Sequence, residues 1–175
     1  MKPENIQEPL PDSYYYPEIG AKILEHFVPE AQEYLESISV CLLRLEKEPK
    51  SKDTIQQLFR AAHTLKGSAF TVGFQVIGDL THHMEDITGA IRDGRMPVTA
   101  ELTDVFFRAG DEVRLLLGRD PAKLTQVRRE FGPIMQRLRQ VSSGQGEKPT
   151  APGAAAPSAT VRYRDDPKLP NPLSS

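Results

Sequence analysis

The spacing of the apolar residues constrains this chain more than any other feature. Ala31, Tyr34, Leu35, Ile38, Cys41, Leu42 and Leu45 all fall on one side of a helix wound at about 3.6 residues per turn. The same spacing recurs in Ile55, Leu58, Ala62, Leu65 and Ala69, and again in Val76, Ile77, Leu80, Met84, Ile87 and Ile91. It returns in Leu102, Val105, Phe106, Ala109, Val113 and Leu116. No stretch alternates apolar and polar residues between hairpin turns, so a sheet is not expected. Helices that each carry one apolar stripe and are joined by short connections must bury those stripes against one another. The expected fold is all-α: an up-and-down antiparallel helical bundle, with a four-helix core and an extra C-terminal helix.

Punctuation residues set the expected boundaries. Pro29 suits the first turn of a helix that runs to Glu48, which leaves Glu18 to Phe27 as a separate helical piece. Pro49 stops that helix. Asp53, with Gln56 three residues on, reads as the capping box of the next. The stretch FTVGF then turns the chain into a helix from Gln75 to Arg92, which Gly94 ends. Thr99 caps the fourth helix, and Asp120-Pro121 starts the fifth. Gly132-Pro133 is expected to break it, leaving a short last helix that ends near Val141.

The flanks differ in composition. Ten of the fifteen prolines lie in residues 1–17 or 142–175. We expect residues 1–17 to be a flexible segment, residues 18–141 to form the bundle, and residues 142–175 to be a flexible Pro/Ala/Ser-rich linker toward something further along the polypeptide. The formal net charge of −2 gives no global attraction to nucleic acid or to an anionic membrane. No apolar run approaches the roughly 20 residues that span a bilayer, and the N-terminus lacks the apolar centre of a secretory signal. Cys41 is the only cysteine, which excludes an intramolecular disulfide and fits a reducing, cytoplasmic setting. It reads as a small core residue.

Within the second helix, FRAAHTLKGSAF places His63, Lys66 and Gly67 beside the apolar stripe. Winding at about 100° per residue puts His63 on the flank of the core, with Phe59, Lys66, Gly67 and Phe70 on its side. A neutral imidazole there can have one nitrogen held by a neighbouring helix while the other reaches solvent as a nucleophile. A carboxylate accepting the Nδ1 proton would put the lone pair on Nε2 and stabilise the positive charge that develops when Nε2 attacks phosphorus. Lys66, one turn on, offers a positive charge to phosphate oxygens. A glycine in a helix interior costs roughly 1 kcal/mol against alanine. At Gly67 the lack of a side chain would give a partner protein close access. Candidate carboxylates lie in THHMED, where His82 and Glu85, and likewise His83 and Asp86, are three apart. Periodicity puts His83 nearer the core and His82 with Glu85 nearer solvent, and it leaves open which carboxylate meets His63. No HExxH motif, cysteine cluster or i, i+4 histidine pair points to a metal. No glycine-rich phosphate loop joins a strand to a helix, so the domain is not expected to use ATP alone.

LFRAAHTLKGSAFTVGF followed by THHMEDITGAIRDGRM closely resembles the histidine phosphotransfer (HPt) domain of CheA-type chemotaxis histidine kinases, over roughly residues 30–141. The resemblance implies that His63 is the phosphoacceptor, with Lys66 its phosphate-side neighbour. It implies that Glu85 orients and polarises the imidazole, with His82 the second histidine of the network. Gly67 and Ser68 would lie where a partner approaches; the family often has glycine where Ser68 stands. The implied partners are an ATP-bound histidine kinase catalytic domain and the aspartate of a response-regulator receiver domain. ATP and Mg would sit on the kinase domain, with no cofactor held by this one. The rival reading is a non-phosphorylated helical domain that only docks partners.

Overall fold

The computed structural model describes residues 9–144. Six α-helices account for most of them: α1 (Asp12–Tyr15), α2 (Ala21–Lys47), α3 (Lys52–Val72), α4 (Gln75–Arg92), α5 (Ala100–Gly118) and α6 (Leu124–Ser142). A 3₁₀ turn, Pro121–Lys123, leads into α6. No strand occurs among the described residues. The helices pack as an antiparallel bundle: α3 lies between α2 and α4, α5 packs on α2, and α6 closes against α4 and α5. The apolar stripes meet in a single core that includes Leu35, Leu42, Leu58, Leu65, Leu80, Met84, Phe106 and Leu116, each no more than 1% exposed. Cys41 is buried there, and burial pushes its thiol pKa up against the lowering influence of Arg44 and Ser37.

Several expected boundaries are corrected. Pro29 does not begin a helix; it lies inside the continuous α2 and faces solvent. Proline there removes one backbone hydrogen bond on the wet side, where water can serve the freed carbonyl. Phe27 and Ala31, on either side of it, are 3% and 1% exposed and hold the helix to the core. Pro133 behaves the same way. It is exposed within an unbroken α6, whose Phe131, Met135 and Leu138 are buried. The cap of α3 is Ser51, not Asp53. Ser51 Oγ accepts from the Thr54 N–H at 3.4 Å and shares a 2.8 Å hydrogen bond with the Thr54 hydroxyl. Asp53 instead sits in the first turn, where its charge suits the helix dipole.

The N-terminal segment is not wholly without structure. Tyr14 Oη donates to Asp79 Oδ2 at 2.6 Å, Tyr15 is 6% exposed, and Tyr16 Oη donates to the Asp120 carbonyl at 2.9 Å. The rings of Tyr14 and Tyr15 meet Phe131 edge-on, and Asp12 pairs with Arg128. Aromatic burial and these polar latches dock α1 onto α4 and α6. The expected linker, from residue 145 onward, lies outside the described residues, as do residues 1–8.

The α3–α4 connection positions the site. The chain stays helical to Val72, and Gly73 then adopts φ +85°, a left-handed conformation that glycine takes without steric penalty. The Phe74 N–H donates to the Ala69 carbonyl at 2.8 Å, and the Phe74 ring is fully buried. A two-residue connection makes α3 and α4 antiparallel neighbours. Residues about equally far from it along each helix, such as His63 and Glu85, come level with one another. A side chain at Gly78 would overlap the ring of Phe70, so the start of α4 lies close against α3.

Candidate functional site

Winding from the Ser51 cap puts Leu58, Ala62, Leu65 and Ala69 into the core and leaves His63 on the rim, its side chain 60% exposed. Glu85 faces it from α4, beside the buried Met84 and Thr88. Glu85 Oε1 lies 3.1 Å from His63 Nδ1, and Glu85 Oε2 lies 2.5 Å from Lys66 Nζ. The Glu85 side chain is 16% exposed. Burial alone would raise its pKa. The hydrogen bonds and charges of Lys66 and His63 outweigh that and hold it below the usual carboxylate range. An ionised carboxylate only accepts hydrogen bonds, so Nδ1 carries the ring proton. Nε2 is left with its lone pair on the solvent side of the bundle.

A second support is aromatic. The Phe59 ring lies nearly parallel to the imidazole, 6.0 Å away at 20°, and the Arg92 guanidinium sits 4.1 Å from the Phe59 centroid. Phe59 thus touches both the imidazole and the guanidinium. Sequence reasoning placed Phe59 beside His63 but missed Arg92. The signal was present: Arg92 follows Glu85 by seven residues, two turns of helix on the same face of α4.

Gly67 and Ser68 lie one turn beyond His63, along a shallow groove of about 570 Å³ between α2 and α3 that Ile23, Phe27 and Glu30 also line. A Cβ added at Gly67 would meet nothing within 4 Å. Ser68 Oγ donates to Glu30 Oε1 at 3.4 Å. Of the residues singled out in the sequence, the structure thus brings together His63, Lys66 and Glu85, with Gly67 and Ser68 alongside. It does not bring His82 to them. His82 is 3.7 Å from Asp86 and stacks on His83 at 6.0 Å, and none of its ion pairs or ring contacts runs to His63 or Glu85. His83 is half-buried; burial and Arg139 lower its pKa. No helix of the described residues is long and apolar enough to cross a membrane.

A family model described as the Hpt domain matches residues 22–130. The chemotaxis protein CheA of Listeria monocytogenes is 42% identical over 85 residues, which is 49% of this chain and 14% of that protein. The sensor histidine kinase CheAY of Helicobacter pylori is 36% identical over 96 residues, 55% of this chain and 12% of that protein. The chain thus spans a small part of the length of the curated relatives it matches. Among solved structures, the CheA phosphotransferase domain from Thermotoga maritima superimposes with a TM-score of 0.55 at 36% identity, covering 57% of this chain and 97% of that one. Bundle, site geometry and family model agree, and the chain belongs to the Hpt domain family.

Proposed function

We propose that His63 accepts a phosphoryl group at Nε2 from an ATP-bound histidine kinase catalytic domain and passes it to an aspartate of a response regulator, within a cytoplasmic two-component pathway of the chemotaxis type. The observation that carries this reading is the imidazole itself, with Nδ1 on a carboxylate that Lys66 also holds and a side chain that is 60% exposed.

The chemistry follows from that arrangement. The Nε2 lone pair attacks the γ-phosphorus, the N–P bond forms, and the bond to the bridging oxygen breaks as ADP leaves. Nδ1 keeps its proton, so the ring becomes positive, and Glu85 stabilises that charge at 3.1 Å. In the second transfer, the aspartate oxygen attacks phosphorus and the N–P electrons return to Nε2. Lys66 holds the other oxygen of Glu85, which keeps the carboxylate ionised and stops it rotating. From the same position it presents positive charge close to an incoming phosphate. The ATP and Mg belong on the kinase domain; this domain supplies no phosphate loop of its own. Gly67 answers the question its helix position raises. The space beside it is empty, so the glycine serves access from outside and no packing need within the bundle.

The test uses a CheA-type kinase domain, labelled ATP and Mg²⁺. Acid-labile label is expected on the chain, and His63→Gln removes it completely. A chain that binds the kinase but stays unlabelled is a docking scaffold, and the proposal fails. Gly67→Trp sharpens the result. Its indole projects into open space, so the fold is expected to persist while transfer to the regulator falls at least tenfold.

A further inference from the structure

A second carboxyl is buried in a different groove from the one His63 lines, and nothing in the phosphotransfer chemistry uses it. Glu112 on α5 is 2% exposed and lines a groove of about 560 Å³ between α5 and α6. Its Oε1 is buried without a hydrogen-bond partner. The buried oxygens of Glu85 and Glu101 are each held by a cation, at 2.5 Å from Lys66 and 2.6 Å from Arg137. Glu112 has no such counterion among the described residues. The arginines that line the groove are already engaged: Arg108 pairs with Asp104 at 3.1 Å and Arg137 with Glu101 at 2.6 Å. A buried carboxyl without a partner is unfavourable by a few kcal/mol, and native folds rarely keep one idle.

The surroundings indicate what fits. The groove runs from Asp104 to Leu115, about 16 Å along α5 at 1.5 Å per residue. Val105, Leu115, Pro133 and Ile134 give it apolar walls. The rim acids Asp104, Asp111 and Glu130 are paired with Arg108, Arg114 and Arg129, which leaves Glu112 as the unpaired acid of the groove. An elongated apolar trough with one unneutralised carboxyl at its base is complementary to a peptide that carries a single cation between apolar residues. We propose that the α5–α6 groove docks an apolar–basic–apolar segment of a protein partner, its arginine or lysine reaching the Glu112 carboxylate.

Glu112 faces Glu130 on α6, and Tyr15 of α1 and Tyr16 just after it feel its charge. Arg108 and Asp111 flank it on α5, and Arg137 lines the far wall from α6. Burial, reinforced by Glu130, raises its pKa to about 7. A cation seated there lowers it again. The linkage sign is fixed: affinity strengthens as the pH rises toward about 7 and levels off above it.

The test selects a displayed random heptapeptide library against the full chain and measures the enriched peptide by amide NMR at pH 6 and pH 8. Expected are an arginine or lysine between aliphatic residues, shifts at Leu115 and Ile134, and at least threefold tighter binding at pH 8. Glu112→Gln should weaken binding at least tenfold and abolish the pH dependence. Glu130→Gln, on the rim, should weaken it about threefold. Enrichment without a basic residue, shifts confined to the His63 groove, or unchanged binding by Glu112→Gln would overturn the proposal. So would butylguanidinium binding as tightly as the peptide, which identifies a small-cation site. So would concentration-dependent dimerisation that Glu112→Gln disrupts, which identifies a second copy as the occupant.

Discussion

Glu85 and Glu112 are chemically the same side chain, both largely taken out of water, and the bundle treats them in opposite ways. Glu85 lies between α3 and α4, where Lys66 and His63 supply two nitrogens and its pKa falls. Glu112 lies between α5 and α6, where the one carboxyl-facing charge that shifts it is another acid and its pKa rises to about 7. Desolvation acts the same way on both; the neighbours decide the sign. A buried carboxylate with cations is an orienting device for an imidazole. One without cations is a strained acceptor that waits for a cation or for a proton.

The contrast can be broken first at the site itself. Glu85→Gln keeps the shape but removes the charge that fixes the Nδ1 tautomer, and second-sphere changes of this kind typically lower activity about 10–100-fold. Initial rates of His63 labelling measure it; an unchanged rate removes Glu85 from the mechanism. The next effect lies in stability. Wild-type stability should fall as the pH rises from 4.5 through about 7, because the folded state holds the Glu112 proton more tightly than the unfolded chain does. Glu112→Gln is therefore expected to gain on the order of 1–2 kcal/mol at pH 8 and almost nothing near pH 4.5, as read from urea unfolding. Glu85→Gln should show the reverse. Its lowered pKa makes a contribution that is present at neutral pH and lost as the pH falls through the folded value, so the penalty of the variant disappears in acid.

Smaller effects sharpen the comparison. Lys66→Met leaves Glu85 with His63 alone. The Glu85 carboxyl should then titrate higher by side-chain NMR, and labelling should slow several-fold, less than for Glu85→Gln. His82→Ala sets the lower end. Its ion pair with Asp86 is exposed on both sides, and such pairs contribute about 0–1 kcal/mol. Labelling within about twofold of wild type is expected; a tenfold loss would restore His82 to the network around His63.

Much of the fold was legible in the spacing of residues. The stripe from Val76 to Ile91 marks α4 because every member is buried, and Gln75 and Arg92 are its true ends. Thr99 is legible as a cap for a local reason: its hydroxyl accepts from the Leu102 N–H at 3.1 Å. Pro29 and Pro133 misled because a proline's local penalty is visible in a sequence and the burial on both sides that outweighs it is not. Tyr14, Tyr15 and Tyr16 sit in a proline-rich flank, and only the presence of Phe131, Asp79 and Asp120 from distant parts of the chain makes them structural. Glu112 left a faint trace. It follows Ala109 by three residues and precedes Leu116 by four, an acid at an apolar position of the α5 stripe.

By itself the sequence determined the helices, the inward face of each, and the placement of His63 and Lys66 one turn apart on the flank of α3. Those are properties of a 3.6-residue repeat and need no knowledge of neighbours. Which carboxylate would meet the imidazole, that His82 would turn away to Asp86, and that one buried glutamate would be ionised and another held near its proton were decided only by the packing of one helix on another. The field at a carboxyl falls off over a few ångströms, and the charges that set it here arrive from Lys66, His63 and Glu130, each on a different helix from the carboxyl it shifts.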